Sequence, residues 1–124
     1  MSIEVIFSTS YDDKYSPHNI LNSSNSMFWT STGLYPQEIV LSLSSGKIIS
    51  ELAIQGVNIK KLSIETCEND SAVKFITQFE IDNISKKTGL QDIQCKFISK
   101  VANKLIKIII HEGHGFFCCI NSIN

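Results

Sequence analysis

The sequence contains no arginine: all 11 of its basic residues are lysines, and 12 acidic residues bring the net charge to −1. Bidentate recognition of phosphate groups and of guanine depends on the planar arginine guanidinium, whereas lysine offers only a point charge. A nearly neutral chain without that side chain is a poor candidate for binding nucleic acid. We therefore expect no nucleic-acid partner.

Long apolar runs are missing as well. The longest apolar-rich segment, Leu105 to Ile110, is far shorter than the roughly 20 residues that a helix needs to cross a bilayer, so we expect no membrane insertion. The first residues, Met1 to Glu4, show no basic region followed by an apolar stretch, which is the pattern of a secretion signal. We expect a protein of the cytoplasm.

The cysteines show no pairing framework. Cys67 and Cys95 stand apart in the sequence, and the adjacent Cys118 and Cys119 would point to opposite faces of a strand. Unpaired cysteines are typical of a reducing compartment. We expect all of them to be free thiols, most of them buried.

Short segments of alternating apolar and polar residues run through most of the chain, and this is the pattern of half-buried β-strands. At 124 residues the chain is long enough for one domain, residues 1–124. About eight such strands separated by turns predict an all-β fold, an antiparallel β-sandwich. The predicted strands are Ile3 to Phe7, Ile39 to Ser44, Ile48 to Gly56, Lys61 to Glu65, Phe75 to Ile81, Ile93 to Phe97, Leu105 to Ile110 and Phe116 to Ile120, with a turn at Ser45-Gly46.

The alternation also assigns faces. Ile3, Val5 and Phe7 are predicted on one face of the first strand, and Phe75 and Thr77 share a face with Phe79 and Ile81. The segment Lys96 to Ile110 has a second interpretation, an amphipathic helix, because Phe97, Val101 and Leu105 recur every fourth residue. The dense β-branched residues at its end favour two strands instead.

Candidate chemistry is sparse. His111-Glu112-Gly113-His114 with Cys118 offers zinc ligands, but the histidines lack the helical spacing of a zinc protease, and a polar hairpin is the simpler interpretation. Asp12 and Asp13 offer two carboxylates for acid–base catalysis, but a solvated turn is the simpler interpretation of this pair. Cysteine and histidine occur together, but their presence alone does not indicate a nucleophile. We predict no catalytic residues.

One stretch carries a more specific pattern. Trp29, the only tryptophan, is followed by three hydroxyl residues, a glycine, two bulky residues and then Pro36-Gln37-Glu38. Before and after it come a serine-rich turn at Ser8 to Asp13, a Pro-x-Asn-Ile segment at Pro17 to Leu21, a loop at Asn22 to Ser26, the pair Phe28-Trp29 and a strand at Ile39 to Leu43. This arrangement resembles the intraflagellar transport protein 25 family, single-domain relatives of the discoidin (coagulation factor type C) modules.

The resemblance implies a jelly roll of the galactose-binding, discoidin-like type. It also implies a non-enzymatic scaffold subunit of the intraflagellar transport B complex in the cytoplasm and the cilium or flagellum. Its partner would be a small Rab-like GTPase subunit, intraflagellar transport protein 27. The alternative is a discoidin-type carbohydrate- or ligand-binding module.

The resemblance bears on calcium too. Family members hold Ca²⁺ in the loop before the tryptophan, where this chain has Asn22 in place of an aspartate and Met27 in place of a hydroxyl. Calcium requires several oxygen ligands with carboxylate charge. We therefore expect no cofactor and no tightly bound metal, with weak Ca²⁺ binding through amide and carbonyl oxygens left open.

Two structural roles complete the predictions. Phe28, Trp29 and Pro36 are predicted to anchor the long connection, with Trp29 buried as a core side chain rather than exposed for a sugar or lipid headgroup. The strand at Leu105 to Ile110 is apolar on both faces, so one face needs a cover from this chain or from a partner. For the partner we predict Ile106, Ile108, Ile110, Phe116 and Phe117.

Overall fold

Two antiparallel β-sheets form the described part of the computed structural model, which covers residues 3–9, 29–31, 34–47, 51–68, 74–85, 91–97, 103–114 and 118–123. No helix occurs in those ranges. The strands are β1 (Ile3–Ser8), β2 (Trp29–Thr30), β3 (Gln37–Lys47), β4 (Glu51–Val57), β5 (Ile59–Cys67), β6 (Ile76–Ile81), β7 (Gln91–Lys96), β8 (Asn103–Gly113) and β9 (Cys119–Ile123). The predicted all-β sandwich is confirmed.

The five-stranded sheet has the order β1-β3-β8-β5-β6, and the four-stranded sheet has the order β2-β9-β4-β7. Strand β8 lies at the centre of the larger sheet and pairs with β3 on one side and β5 on the other. The alternative of a helix from Lys96 to Ile110 is therefore wrong. The β-branched residues of β8 form backbone hydrogen bonds with a strand on each side. These bonds outweigh the helical tendency indicated by the spacing of Phe97 and Leu105.

The core lies between the two sheets, and alternating residues supply it. Ile39, Leu41 and Leu43 of β3 are buried there, as the period-two pattern predicts. Leu52 and Ile54 of β4 and Ile93 and Cys95 of β7 face them from the smaller sheet. Apolar area removed from water stabilises the fold by roughly 25 cal/mol per Å², so this layer holds the two sheets together.

Two bulges change the predicted faces. In β1, Val5 pairs with Leu41 but Phe7 pairs with Val40, so one extra residue shifts Phe7 out of the core face. In β6, Phe79 pairs with Ile64 but Thr77 pairs with Glu65, which separates Thr77 from the face of Phe79. The predictions that Phe7 shares a face with Val5, and Thr77 with Phe79, are wrong because a strict alternation cannot contain an inserted residue.

Several strand ends differ from the prediction. Strand β3 continues through Ser45-Gly46 to Lys47, so the predicted turn there is wrong. The described part of β4 begins at Glu51 rather than Ile48. The described part of the last strand is Cys119–Ile123, which extends three residues beyond the predicted end at Ile120. Strand β8 ends at Gly113, three residues beyond the predicted end at Ile110, and a side chain at position 113 would collide with the Tyr35 phenol and the Asn58 carbonyl.

The register places several connections at one end of the sandwich. Ser8 pairs with Ile39, and Ile59 pairs with Gly113, so the end of β1 and the starts of β3 and β5 lie together. In the other sheet Gly56 pairs with Gln91, which brings the end of β4 to the start of β7. The long segment after β1 and the segment before β3 therefore leave from this end, which we call the loop end.

Candidate partner-binding surface

Strand β8 has two buried faces, and they have different neighbours. Ile106, Ile108 and Ile110 lie in the core between the sheets. These three residues are closed off by the smaller sheet, so the predicted partner-binding role is wrong for them. The alternation of the strand turns Leu105, Lys107 and Ile109 toward the opposite side, the outer face of the five-stranded sheet.

The outer face carries a small apolar cluster of its own. Val40, Cys67 and Leu105 are buried in it, and Phe75 packs against them half-buried. The ammonium of Lys107 lies 4.1 Å from the centre of the Phe75 ring and 3.8 Å from the Glu38 carboxylate. The lysine stem and the ring therefore cover part of the apolar surface, so part of the cover that β8 requires comes from this chain itself.

Two side chains at the β1 edge of this face remain open. Phe7 pairs with Val40, and Ile6 is the extra residue of the bulge, so both oppose Val40. Ile6 is 52% exposed and Phe7 is 50% exposed. Among the described residues, the other large exposed apolar side chains are Leu34 at 85% and Ile76 at 49%, the latter on β6 at the opposite edge of the sheet.

Hydrogen bonds connect Leu34 to the end of β1. The hydroxyl of Thr9 donates to Oε1 of Gln37 at 2.7 Å and accepts the backbone N–H of Glu38 at 2.9 Å. Nε2 of the buried Gln37 donates to the Leu34 carbonyl oxygen at 2.6 Å. This relay holds Leu34 near Thr9, two residues beyond Phe7. We call Ile6, Phe7 and Leu34 the corner patch.

Reasoning from the sequence missed the corner patch. The alternation predicts Phe7 in the core, and in the sequence Leu34 is only a bulky position of the tryptophan segment. A signal was present: Ile6 and Phe7 are consecutive bulky apolar residues in a strand that borders a polar loop, which a strict alternation does not accommodate. This interruption of the alternation is the feature of the sequence that corresponds to the bulge.

The tryptophan segment lies inside the protein where it is described. Trp29 is 0% exposed within the core cluster and pairs with Ile120 of β9. Just after it, the Ser31 N–H donates to the Cys118 carbonyl at 3.0 Å, and the Cys118 N–H donates to the Ser31 hydroxyl at 2.9 Å. Pro36 is exposed and directly precedes β3, with a cis peptide bond to Tyr35.

The candidate zinc ligands have other neighbours. Nε2 of His111 lies 2.8 Å from the Ser63 hydroxyl, and Nε2 of His114 lies 2.6 Å from the Ile84 carbonyl oxygen. Across the described ranges, no three His, Cys, Asp or Glu side chains come close enough together to hold a metal. Burial raises the pKa of the Cys95 thiol to about 11, so this thiol is protonated at neutral pH and is a poor nucleophile.

Several predicted residues lie outside the described ranges. They are Phe28, Phe116, Phe117, the carboxylates Asp12 and Asp13, and the calcium-loop positions from Asn22 to Met27. In the ranges that are described, no helix is long and apolar enough to cross a membrane.

Comparison with solved structures defines the class of fold. A galactose complex of a family 32 carbohydrate-binding module from Clostridium perfringens NanJ aligns with a TM-score of 0.80 at 18% identity, covering 98% of this chain and 91% of that one. Another C. perfringens module, CpGH89CBM32-5 bound to GalNAc-β-1,3-galactose, aligns with a TM-score of 0.81 at 19% identity, covering 98% and 93%. The protein is a discoidin-like jelly-roll β-sandwich.

Sequence comparison gives the family. No family model matches the chain. Intraflagellar transport protein 25 of Chlamydomonas reinhardtii is 30% identical over 97% of the chain, and the chain spans 62% of that protein's length. The human homologue of intraflagellar transport protein 25 is 31% identical over 98% of the chain and 83% of its own length. The chain belongs to the intraflagellar transport protein 25 family.

Proposed function

We propose that this protein is a non-enzymatic scaffold subunit of the intraflagellar transport B complex, acting in the cytoplasm and the cilium or flagellum. Its direct partner is a small Rab-like GTPase subunit, intraflagellar transport protein 27. The observation that carries the proposal is the match to intraflagellar transport protein 25 over 97–98% of the chain in an alga and in two mammals.

The side-chain chemistry supports a binding role. Buried polar side chains such as Ser31, Gln37 and Gln91 are engaged in hydrogen bonds within the protein. The Cys95 thiol is protonated, and His111 and His114 lie against Ser63 and a backbone carbonyl. The described surface exposes four large apolar side chains, which suit contact with another protein: Ile6, Phe7, Leu34 and Ile76.

Co-purification from the native cell tests the proposal. The tagged protein is expected to bring down the GTPase subunit and further subunits of the transport complex, identified by mass spectrometry. A purified chain that recognises sugars on a glycan array, and that captures none of these subunits, would favour a carbohydrate-binding module, as in the bacterial relatives of the fold.

The proposal includes no resident cofactor. Asn22 and Met27 supply neither the carboxylate nor the hydroxyl that a calcium site before the tryptophan would use. The scaffold role therefore does not depend on calcium.

A further inference from the structure

We infer that Phe75 is a movable lid on the outer face of the five-stranded sheet, and that the ammonium group of Lys107 holds this lid closed over the buried thiol of Cys67. Opening of the lid exposes the apolar cluster of Val40, Cys67 and Leu105 while the sandwich stays folded. This conformational device goes beyond the proposed function and does not depend on it.

Phe75 lies just outside the paired strands. Ile76, the first residue of β6, pairs with Thr66, so Phe75 stands beside Cys67 at the end of the β5–β6 pairing. Its ring packs against the cluster and is itself half-buried. Residues at the end of a strand open at a smaller free-energy cost than residues inside a sheet. The ring is therefore the part of the cover that opens first.

The side chains under the lid belong to inner strands. Cys67 pairs with Leu105, and these residues are only 2% and 1% exposed. Val40 pairs with Lys107 on the other side of β8. Strands β3, β8 and β5 each have a neighbouring strand on both sides, so their backbones are held by hydrogen bonds along both edges. The cluster therefore keeps its place when the ring moves away.

The charge of Lys107 holds the ring in the closed position. Its ammonium lies 4.1 Å from the centre of the Phe75 ring, within the range of a cation–π contact. The Glu38 carboxylate, 3.8 Å from the same ammonium, positions the lysine from the side of β3. The lysine side chain is only 22% exposed, and a cation–π contact gains strength when the cation is partly removed from water.

Alkylation of Cys67 by iodoacetamide measures how often the lid opens, because the closed lid leaves this thiol almost without exposed surface. Mass spectrometry of the digested protein gives the rate at each cysteine separately. Cys95 is the internal control: it is 0% exposed between the two sheets, so it reacts only when the sandwich itself opens. Each rate is compared with the wild-type rate at the same cysteine, which removes differences in intrinsic reactivity between the thiols.

Lys107→Met removes the charge and keeps an apolar side chain. We expect Cys67 to react about threefold to thirtyfold faster, which corresponds to the loss of a cation–π contact, and Cys95 to react at the wild-type rate. Lys107→Arg keeps a cation over the ring, so its Cys67 rate should stay within about twofold of the wild type. Lys61→Met is the matched control, because Lys61 is a half-buried lysine that pairs with Glu112 at the other end of β5. It should change neither rate.

A double variant tests whether the lysine acts through the ring. Phe75→Leu keeps an apolar side chain but has no aromatic face, so adding Lys107→Met to it should give no further acceleration at Cys67. A further acceleration would contradict the inference. A single Lys107→Met variant whose Cys67 reacts at the wild-type rate would overturn it as well. Equal acceleration at Cys67 and Cys95 would also overturn it, because Lys107 would then stabilise the whole fold rather than the lid.

Discussion

Trp29 occupies a position that few other side chains could fill. It is fully buried, it pairs with Ile120 through the two-residue strand β2, and its neighbour Ser31 exchanges two hydrogen bonds with Cys118. A large aromatic ring in such a place contributes more burial than any aliphatic residue. Residues 29–31 are therefore held to the smaller sheet by the Trp29 ring and by the hydrogen bonds of Ser31.

Replacing Trp29 with alanine tests this role. A large-to-small change in a core costs about 3–5 kcal/mol for tryptophan, a large share of the roughly 5–15 kcal/mol that stabilises a typical domain. We expect Trp29→Ala to be mostly unfolded or insoluble, measured by thermal melting and circular dichroism, and Trp29→Phe to lose less. Wild-type thermal stability in the alanine variant, together with loss of a ligand, would mean that Trp29 belongs to a binding platform.

Among the strands, β5 and β7 are joined across the sandwich by one buried side chain. Nε2 of Gln91, on β7, donates to the carbonyl oxygens of Ile59 at 2.8 Å and Ser85 at 3.0 Å, and its Oε1 accepts the Ile59 N–H at 2.9 Å. Ile59 opens β5 in the other sheet. This side chain thus satisfies buried backbone groups at the loop end and fixes the two sheets relative to each other.

Methionine has a volume similar to that of glutamine but no hydrogen-bonding amide. The variant Gln91→Met therefore measures what these hydrogen bonds contribute to stability. Two backbone groups of Ile59 lose their partner at about 1–3 kcal/mol each, so we expect the free energy of unfolding to fall by about 2–6 kcal/mol. Gln55→Met is the control: it removes an exposed hydrogen bond of 3.0 Å to Asp92 and should change stability by less than about 0.5 kcal/mol. Equal effects of the two variants in urea denaturation would show that Gln91 does not join the sheets.

The strands also show where the alternation of apolar and polar residues predicts the buried faces correctly and where it does not. Segments with unbroken alternation, such as Ile39 to Leu43 and Ile93 to Phe97, were predicted with their correct buried faces. Prediction failed where a bulge inserts a residue, as at Ile6 and near Thr77, because an insertion depends on the partner strand. For β8 the pattern showed two apolar faces, but which face meets the other sheet depends on the chain's long-range pairing. The consecutive Ile6 and Phe7 do interrupt the alternation, but the exposed faces of these residues depend on the register with β3.

At the scale of the whole molecule, the five-stranded sheet has a different environment on each face. One face meets the smaller sheet through a continuous core, and the other carries a minor cluster capped by Phe75 and Lys107. The second face ends at an open edge with apolar side chains and acidic neighbours. One face of this sheet is therefore closed by the protein itself, and the other is partly open.

The predicted independence from calcium is tested by the stability of the whole fold. A site filled at a hundred times its dissociation constant would stabilise the protein by about 2.7 kcal/mol, which is several degrees in melting temperature for a domain of this size. Because Asn22 and Met27 lack the carboxylate and hydroxyl oxygens, we expect neither Ca²⁺ nor EDTA to change the melting temperature. A reproducible rise with Ca²⁺ that EDTA reverses would contradict the ligand argument.

The account as a whole depends on a stable complex with a small GTPase. Co-expressing the protein with the Rab-like GTPase subunit of its own species, and measuring the mass of the purified species by size exclusion with light scattering, tests this dependence most directly. We predict a one-to-one complex that survives the column, whereas an unrelated Rab protein from the same species elutes separately. Two folded proteins that elute apart at micromolar concentration would contradict the central claim.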